Sequence, residues 1–201
     1  MQGIATRCLL VRAAAAVGLM LMANVEVCGR ELTSQVTELE HIPSVRAEFP
    51  VPSDPSMLFY IQRSVNANTV VYAAHVDSQG RIDPDAPVDV YWRWYNVDGH
   101  RKPLNFIESM MAYGVTSVSH RGSSSTVTFK VAALPEQELL LEQDGHGHPE
   151  ALIQFGNRMA RLIYVYLQVD DSDLMPNVLA MDLFGFDKLT GKPLREHVIP
   201  H

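Results

Sequence analysis

From Met57 onward, apolar and polar residues alternate with a period of two, and short polar runs cut the alternation into lengths typical of strands. In the first length Phe59, Ile61 and Arg63 share one side, while Leu58, Tyr60 and Gln62 share the other. In the second, Val70, Tyr72, Ala74 and Val76 alternate with Thr69, Val71, Ala73 and His75. In the third, Val88, Val90, Trp92 and Trp94 alternate with Asp89, Tyr91, Arg93 and Tyr95. The polar run 65–68 is expected to turn between the first two, and a crossing with Gly and Pro, 77–87, leads to the third. Large apolar groups lie on both sides of the first two lengths, so these are expected as central strands covered on both faces.

Further strands are expected at 113–119, 126–133, 139–143, 151–155, 161–169 and 177–186. Within 103–111, Leu104, Ile107, Met110 and Met111 recur at helical spacing, Pro103 suits a first turn, and Gly114 follows the end. The pattern predicts a mainly β, antiparallel domain over 57–199, a sandwich or barrel-like fold of eight or nine strands with one short helix.

The chain before Met57 differs in kind. Arg7 and Arg12 precede an uncharged apolar run, 13–23, and the first acid is Glu26. A positive start followed by such a run reads as a secretory leader over 1–29, and the run is shorter than the roughly 20 residues of a membrane-spanning helix. The expected address is therefore export, to a periplasm or the extracellular space, with no transmembrane segment. A mitochondrial leader also tolerates arginines without early acids, and Cys28 is a candidate lipid anchor, although Glu26 and Val27 stand where small uncharged residues belong. Residues 30–56 carry Pro43, Pro50, Pro52 and Pro55 and keep no period, so an extended linker is expected there.

Charge and cysteine usage narrow the function classes. The 16 basic and 23 acidic residues give a formal charge of −7, and losing Arg7, Arg12 and Glu26 with the leader takes it to −8. An acidic chain without basic clusters is not expected to bind nucleic acid or an anionic membrane. Both cysteines, Cys8 and Cys28, lie in the leader, which leaves the domain without thiol catalysis or cysteine-held zinc. No cofactor is expected.

Several constellations invite a chemical reading. His146 and His148, flanked by Asp144 and Glu150, have a spacing that puts two imidazoles on one side of an extended chain, but a glycine-rich turn preorganises no metal site. Ser64, His75 and Asp89 supply the residue types of a hydrolase triad, without a strained nucleophile turn. Asp83, Asp85 and Asp89 raise the paired-acid chemistry of glycosidases, against the plainer reading of turn-forming aspartates, and Asp171 with Asp173 suits a loose calcium loop. Trp92 and Trp94 share a side with Val88 and Val90, which points to core packing.

The blocks Leu58–Ser64, Asn68–Tyr72, Pro87–Trp92, Met111–Val115, Val165–Val169 and Asn177–Gly185 occur in this order over roughly 50–198. In these blocks the chain resembles a family of small exported domains of unknown function. The resemblance implies the address and supplies no catalytic residue. The expected function is then a non-catalytic β domain that binds a small polar ligand, a glycan or a peptide, with a hydrolase or metal-dependent enzyme as the alternative. The binding residues expected are Gln62, Arg63, Asn66, Asn68, Asp89 and Tyr91, with Arg63 pairing either a ligand or Asp89. The partner is an unidentified ligand or protein, and the pattern is silent on oligomeric state.

Overall fold

Twelve strands form among the residues that the computed structural model describes, 33–120, 126–170, 172 and 177–200. They are β1 (Thr33–Glu38), β2 (Met57–Arg63), β3 (Asn66–Ala74), β4 (Val88–Trp94), β5 (His100–Pro103), β6 (Val115–His120), β7 (Val127–Val131), β8 (Leu139–Gln143), β9 (Pro149–Phe155), β10 (Arg158–Asp170), β11 (Asn177–Asp187) and β12 (Pro193–Ile199). The chain is thus mainly β, as the alternation predicts, and the count of eight or nine is corrected to twelve. The additions are β1, β5 and β12, whose outward positions are polar or charged and whose inward positions hold few large apolar groups.

All twelve strands belong to one sheet. Its main path runs β5-β4-β3-β2-β10-β9-β8-β7-β6 and curls into a half-barrel. Strand β10 is the hinge of this order. Its first residues pair antiparallel with β9, from Arg158 opposite Phe155 to Arg161 opposite Leu152. Its later residues pair parallel with β2, from Tyr164 opposite Tyr60 to Leu167 opposite Arg63. The other edge of β10 carries β11, then β12, then β1. On that edge the register with β11 shifts between Leu162 and Tyr164, level with the point where the opposite edge changes partner from β9 to β2. There Gly185 lies so close to β10 that an added Cβ would sit 2.5 Å from the Arg161 carbonyl oxygen, so only glycine fits.

The curl brings the inner faces of the two arms together. Phe59, Ile61, Val70 and Tyr72 from β2 and β3 join one core with Phe129, Leu139, Leu141, Ile153 and Phe155 from β7, β8 and β9. Phe59 and Tyr72 stack at 4.3 Å between ring centroids, and the Tyr72 hydroxyl donates to the Tyr113 carbonyl at 2.7 Å. A second core forms on the outer face of β2, β3 and β4, where Tyr60, Val71 and Tyr91 meet Tyr164, Tyr166 and Phe184. Residues 39–56 cross that face as an irregular strap. Leu39 and Ile42 pack on it, the Tyr164 hydroxyl donates to the Pro43 carbonyl, and Gln62 Nε2 donates to the Pro50 carbonyl at 3.2 Å. The stretch expected as linker is therefore, in its described part, a strand and a cover.

The helix differs from expectation as well. Pro103 ends β5, and α1 (Phe106–Glu108) begins only after Asn105, which caps it: Asn105 Oδ1 accepts from Glu108 N at 2.9 Å, and Glu108 returns the bond to Asn105 N at 2.8 Å. The helix then widens into a π-helical turn, Ser109–Tyr113, closed by Gly114 N donating to the Ser109 carbonyl at 2.9 Å. A Cβ on Gly114 would lie 2.1 Å from that oxygen, which explains the glycine. The leader, with Cys8 and Cys28, lies outside the described residues, and so do Asp171 and Asp173.

Candidate functional site

The expected polar pocket is divided by the sheet itself. Neighbouring residues in a strand point to opposite faces, so Gln62 and Arg63 cannot share a site. Gln62 is buried on the outer face beneath the strap. Tyr91 lies on that face too, under the Arg101 guanidinium at 3.9 Å and hydrogen-bonded to Asp54. Asp89 pairs with Arg101 at 2.5 Å on the surface. The pairing of Arg63 with Asp89 does not form.

Arg63 turns to the inner face at the open end of the curl. Its guanidinium lies over the Trp92 ring at 4.9 Å, and Nη2 donates to Asn66 Oδ1 at 3.2 Å. Its Nε is buried and has no acceptor. Among the described residues no carboxylate forms an ion pair with it. Asn66 Oδ1 also accepts from Asn68 N at 3.1 Å, while Asn68 Oδ1 accepts from Asn96 N at 2.9 Å and ties this turn to the one after β4. Of the expected site, then, Arg63 and Asn66 stay together, Asn68 braces them, and the other three face away.

Around Arg63 the chain leaves a cavity of about 320 Å³, walled by Ile107, Met111 and Tyr113 from the helical turns, Ala132 and Ala133 after β7, Leu167 and Val169 from β10, and Val178 from β11. This volume falls at the small end of ligand sites, about 300 to 1,000 Å³. The polar groups of the lining are Arg63, Glu108 and the Tyr113 hydroxyl. Burial pushes the Tyr113 hydroxyl above its ordinary value, and the charge of Arg63 and its hydrogen bond to that hydroxyl oppose the rise. Trp92 meets Tyr113 edge-on at 5.2 Å, fixing the platform on which the guanidinium rests. On the helical turns that supply Ile107 and Met111 to the lining, Phe106, Ile107, Met110 and Met111 are all more than half exposed. Strand alternation reveals Arg63, but the cavity needs the helix, β7, β10 and β11 folded together, and no local pattern announces that.

Two other hollows are larger, and their charges are already matched. One, of about 580 Å³, is lined by Asp77, Arg81 and Asp83; Asp77 holds Arg81 at 2.8 Å, and Asp83 faces His75 at 3.3 Å. The other, of about 430 Å³, holds Arg158 against Asp187 at 2.6 Å. Backbone bonds from Thr190 and Leu189, with the Arg158 guanidinium, hold the Asp187 carboxyl down at about 2 against the opposing effect of burial.

The alternative chemistries do not assemble. Ser64 and His75 flank opposite ends of β3, roughly 25 Å apart at the rise of a strand, and Asp89 is engaged with Arg101. The Ser64 hydroxyl serves the backbone, accepting from Val169 N at 3.0 Å. Asp83 Oδ1 accepts from Asp85 N at 2.9 Å, the bond of a turn-forming aspartate. Asp144 accepts from His146 N and His148 N at 2.7 and 2.9 Å, which folds the two-histidine loop around it. Trp92 packs in the inner core.

Among the described residues no helix is long and apolar enough to cross a membrane. Comparison with curated proteins and with solved structures finds no match. A family defined as a domain of unknown function matches residues 59–197, which is more than half of the chain. The span begins at β2 and ends in β12, so it takes in both arms of the curl and the Arg63 cavity. On that match this protein belongs to the DUF4833 family.

Proposed function

We propose that this chain is an exported, non-catalytic β domain, barrel-like in its curl, that captures a small ligand in the Arg63 cavity. The observation that carries the reading is a guanidinium without a carboxylate partner among the described residues, its Nε buried and unmet, in a cavity whose lining is mostly apolar. A buried donor left unmet costs free energy, about 1 to 3 kcal/mol, unless an acceptor arrives. A ligand acceptor supplies it. Export rests on the leader pattern, and a non-catalytic role rests on Ser64, His75 and Asp89 each having a separate structural task. A glycan-binding role would need several convergent hydrogen-bonding groups, and this cavity offers three.

The test is a thermal-shift screen of the purified chain against sugars, dipeptides, nucleotides and carboxylates, run in parallel on Arg63→Met. A ligand at 100 times its Kd adds about 2.7 kcal/mol to stability. The expected outcome is a class of compounds that raises the melting temperature of the wild type and leaves Arg63→Met unmoved. Equal shifts in both proteins, or none in either, would overturn the proposal.

A further inference from the structure

We infer that the occupant of this cavity is a long-chain carboxylate, its head on Arg63 and its hydrocarbon chain running out over Met111 and Ile107; this rests on the function proposed above. Three observations select that class. The guanidinium of Arg63 offers a buried Nε without an acceptor, and guanidinium groups match the two oxygens of a carboxylate. The walls beyond it, Ile107, Met111, Leu167 and Val169, present no group that would satisfy a peptide backbone, whose buried N–H and C=O would go unpaired. An unbranched chain brings no such groups.

The third observation is where the cavity opens. Ile107 and Met111, which line the cavity, are 67 and 66% exposed, and Phe106 and Met110 on the same helical turns are 77 and 58% exposed. An exposed apolar cluster of this kind marks a binding surface more often than ordinary surface, and methionines adapt to flexible hydrocarbon. A chain too long for 320 Å³ continues onto these side chains. Glu108, the acid at the rim, does not compete for Arg63, because its carboxylate accepts from Asn105 N in the helix cap. With a formal charge of −7 the protein does not draw anions from a distance, so recognition is local to the cavity.

Trp92 reports on the site directly, since it lies against the Arg63 guanidinium and the chain has only one other tryptophan, Trp94. The experiment titrates the full chain with dodecanoate below its micelle concentration while following tryptophan fluorescence. Parallel arms use dodecanol, which lacks the charge, acetate, which lacks the chain, and a short apolar peptide with a free C-terminus. Saturable binding of dodecanoate is expected, with dodecanol and acetate each at least about tenfold weaker. Arg63→Met is expected to bind dodecanoate no better than dodecanol, and Met111→Glu to lose the preference for long chains while keeping its melting temperature. Equal affinity for dodecanoate and dodecanol, or tighter binding of the peptide, would overturn the inference. So would a titration without saturation, or a concentration-dependent dimer that covers the apolar cluster. If small charged compounds stabilise the wild type through Arg63 while dodecanoate does not, the cavity function stands and the long-chain assignment alone falls.

Discussion

On the inner face of β2, β3 and β4, Phe59, Ile61, Val70, Tyr72 and Trp92 meet the far arm of the same sheet; on the outer face, Tyr60, Val71 and Tyr91 meet a strap without regular structure. The inner core is aliphatic and aromatic, held by dispersion and the exclusion of water, and its polar groups are few. The outer core is built on tyrosines. Tyr60 stacks on Tyr164 at 5.2 Å and Tyr164 on Phe184 at 4.5 Å, while the Tyr164 hydroxyl and the Gln62 amide reach up to the strap carbonyls. Burial raises the hydroxyls of Tyr60, to about 12, and of Tyr164, so both stay neutral donors across the physiological range. One face therefore closes mainly by packing, with the Tyr72 hydroxyl bonded to the Tyr113 carbonyl within it. The other closes by packing plus a small set of directed bonds to a segment that could otherwise leave.

That difference sets an order of effects. Phe59→Ala removes a ring with no solvent exposure that stacks on Tyr72, and should cost about 3 to 5 kcal/mol in urea unfolding. A cost below about 1.5 kcal/mol would mean the two arms are not truly packed together.

Asp54 comes next, because it pins the strap to the sheet through Arg93, whose Nε donates at 3.0 Å. Burial acts to raise its carboxyl, but hydrogen bonds from Arg93 and Tyr91 outweigh that effect and hold it below the ordinary value. The stability so gained is present above the unfolded-state value, near 4, and is lost as pH falls through the lower folded value. Asp54→Ala should cost about 2 kcal/mol at pH 7, and the gap between variant and wild type should shrink as pH drops below about 4. A gap that is constant between pH 7 and pH 3 would show that the pair does not hold the strap.

Tyr164→Phe is a smaller change, the loss of one hydroxyl from the outer face, and should cost about 1 kcal/mol. It should also speed proteolysis within 39–56 while leaving cleavage elsewhere unchanged. Uniform sensitivity along the chain would place the strap and the sheet in one cooperative unit.

The central strands are legible as apolar runs bounded by polar turns, because both of their faces are buried. Strand β12 is not. Its inward positions, Leu194, Glu196 and Val198, include a carboxylate that is 3% exposed, and a charge on the buried side hides the period. Burial raises that carboxyl, while the Gly156 amide and Ser34 oppose the rise. Strand β5, His100–Pro103, has no aliphatic residue and exists because β4 offers an edge to pair with. The strap was unreadable for another reason: Pro43 and Pro50 contribute carbonyls rather than side chains, and composition cannot show what a carbonyl meets. The site was half legible. Arg63 shows in the sequence as a cation on an apolar side, and alternation puts Gln62 on the other; the face of Asp89 depends on how β4 joins the sheet, which no local pattern shows.

Met110→Gln alters the π-helical turn whose next residue, Met111, lines the rim of the cavity. Met110 is 58% exposed, so the change should alter stability by no more than about 0.5 kcal/mol. A loss above 1 kcal/mol would mean that this rim belongs to the fold rather than to a ligand.

Whether Arg63 serves a ligand or the fold is decided by the melting temperature of Arg63→Met. Methionine keeps the unbranched apolar stem and removes the unmet buried Nε, against the loss of the guanidinium over Trp92 and of its hydrogen bonds to Asn66 and the Tyr113 hydroxyl. These effects nearly offset, and the variant should unfold within about 1 kcal/mol of the wild type in the absence of ligand. A loss of 3 kcal/mol or more would show that the guanidinium is part of what holds the chain together, and would contradict the account.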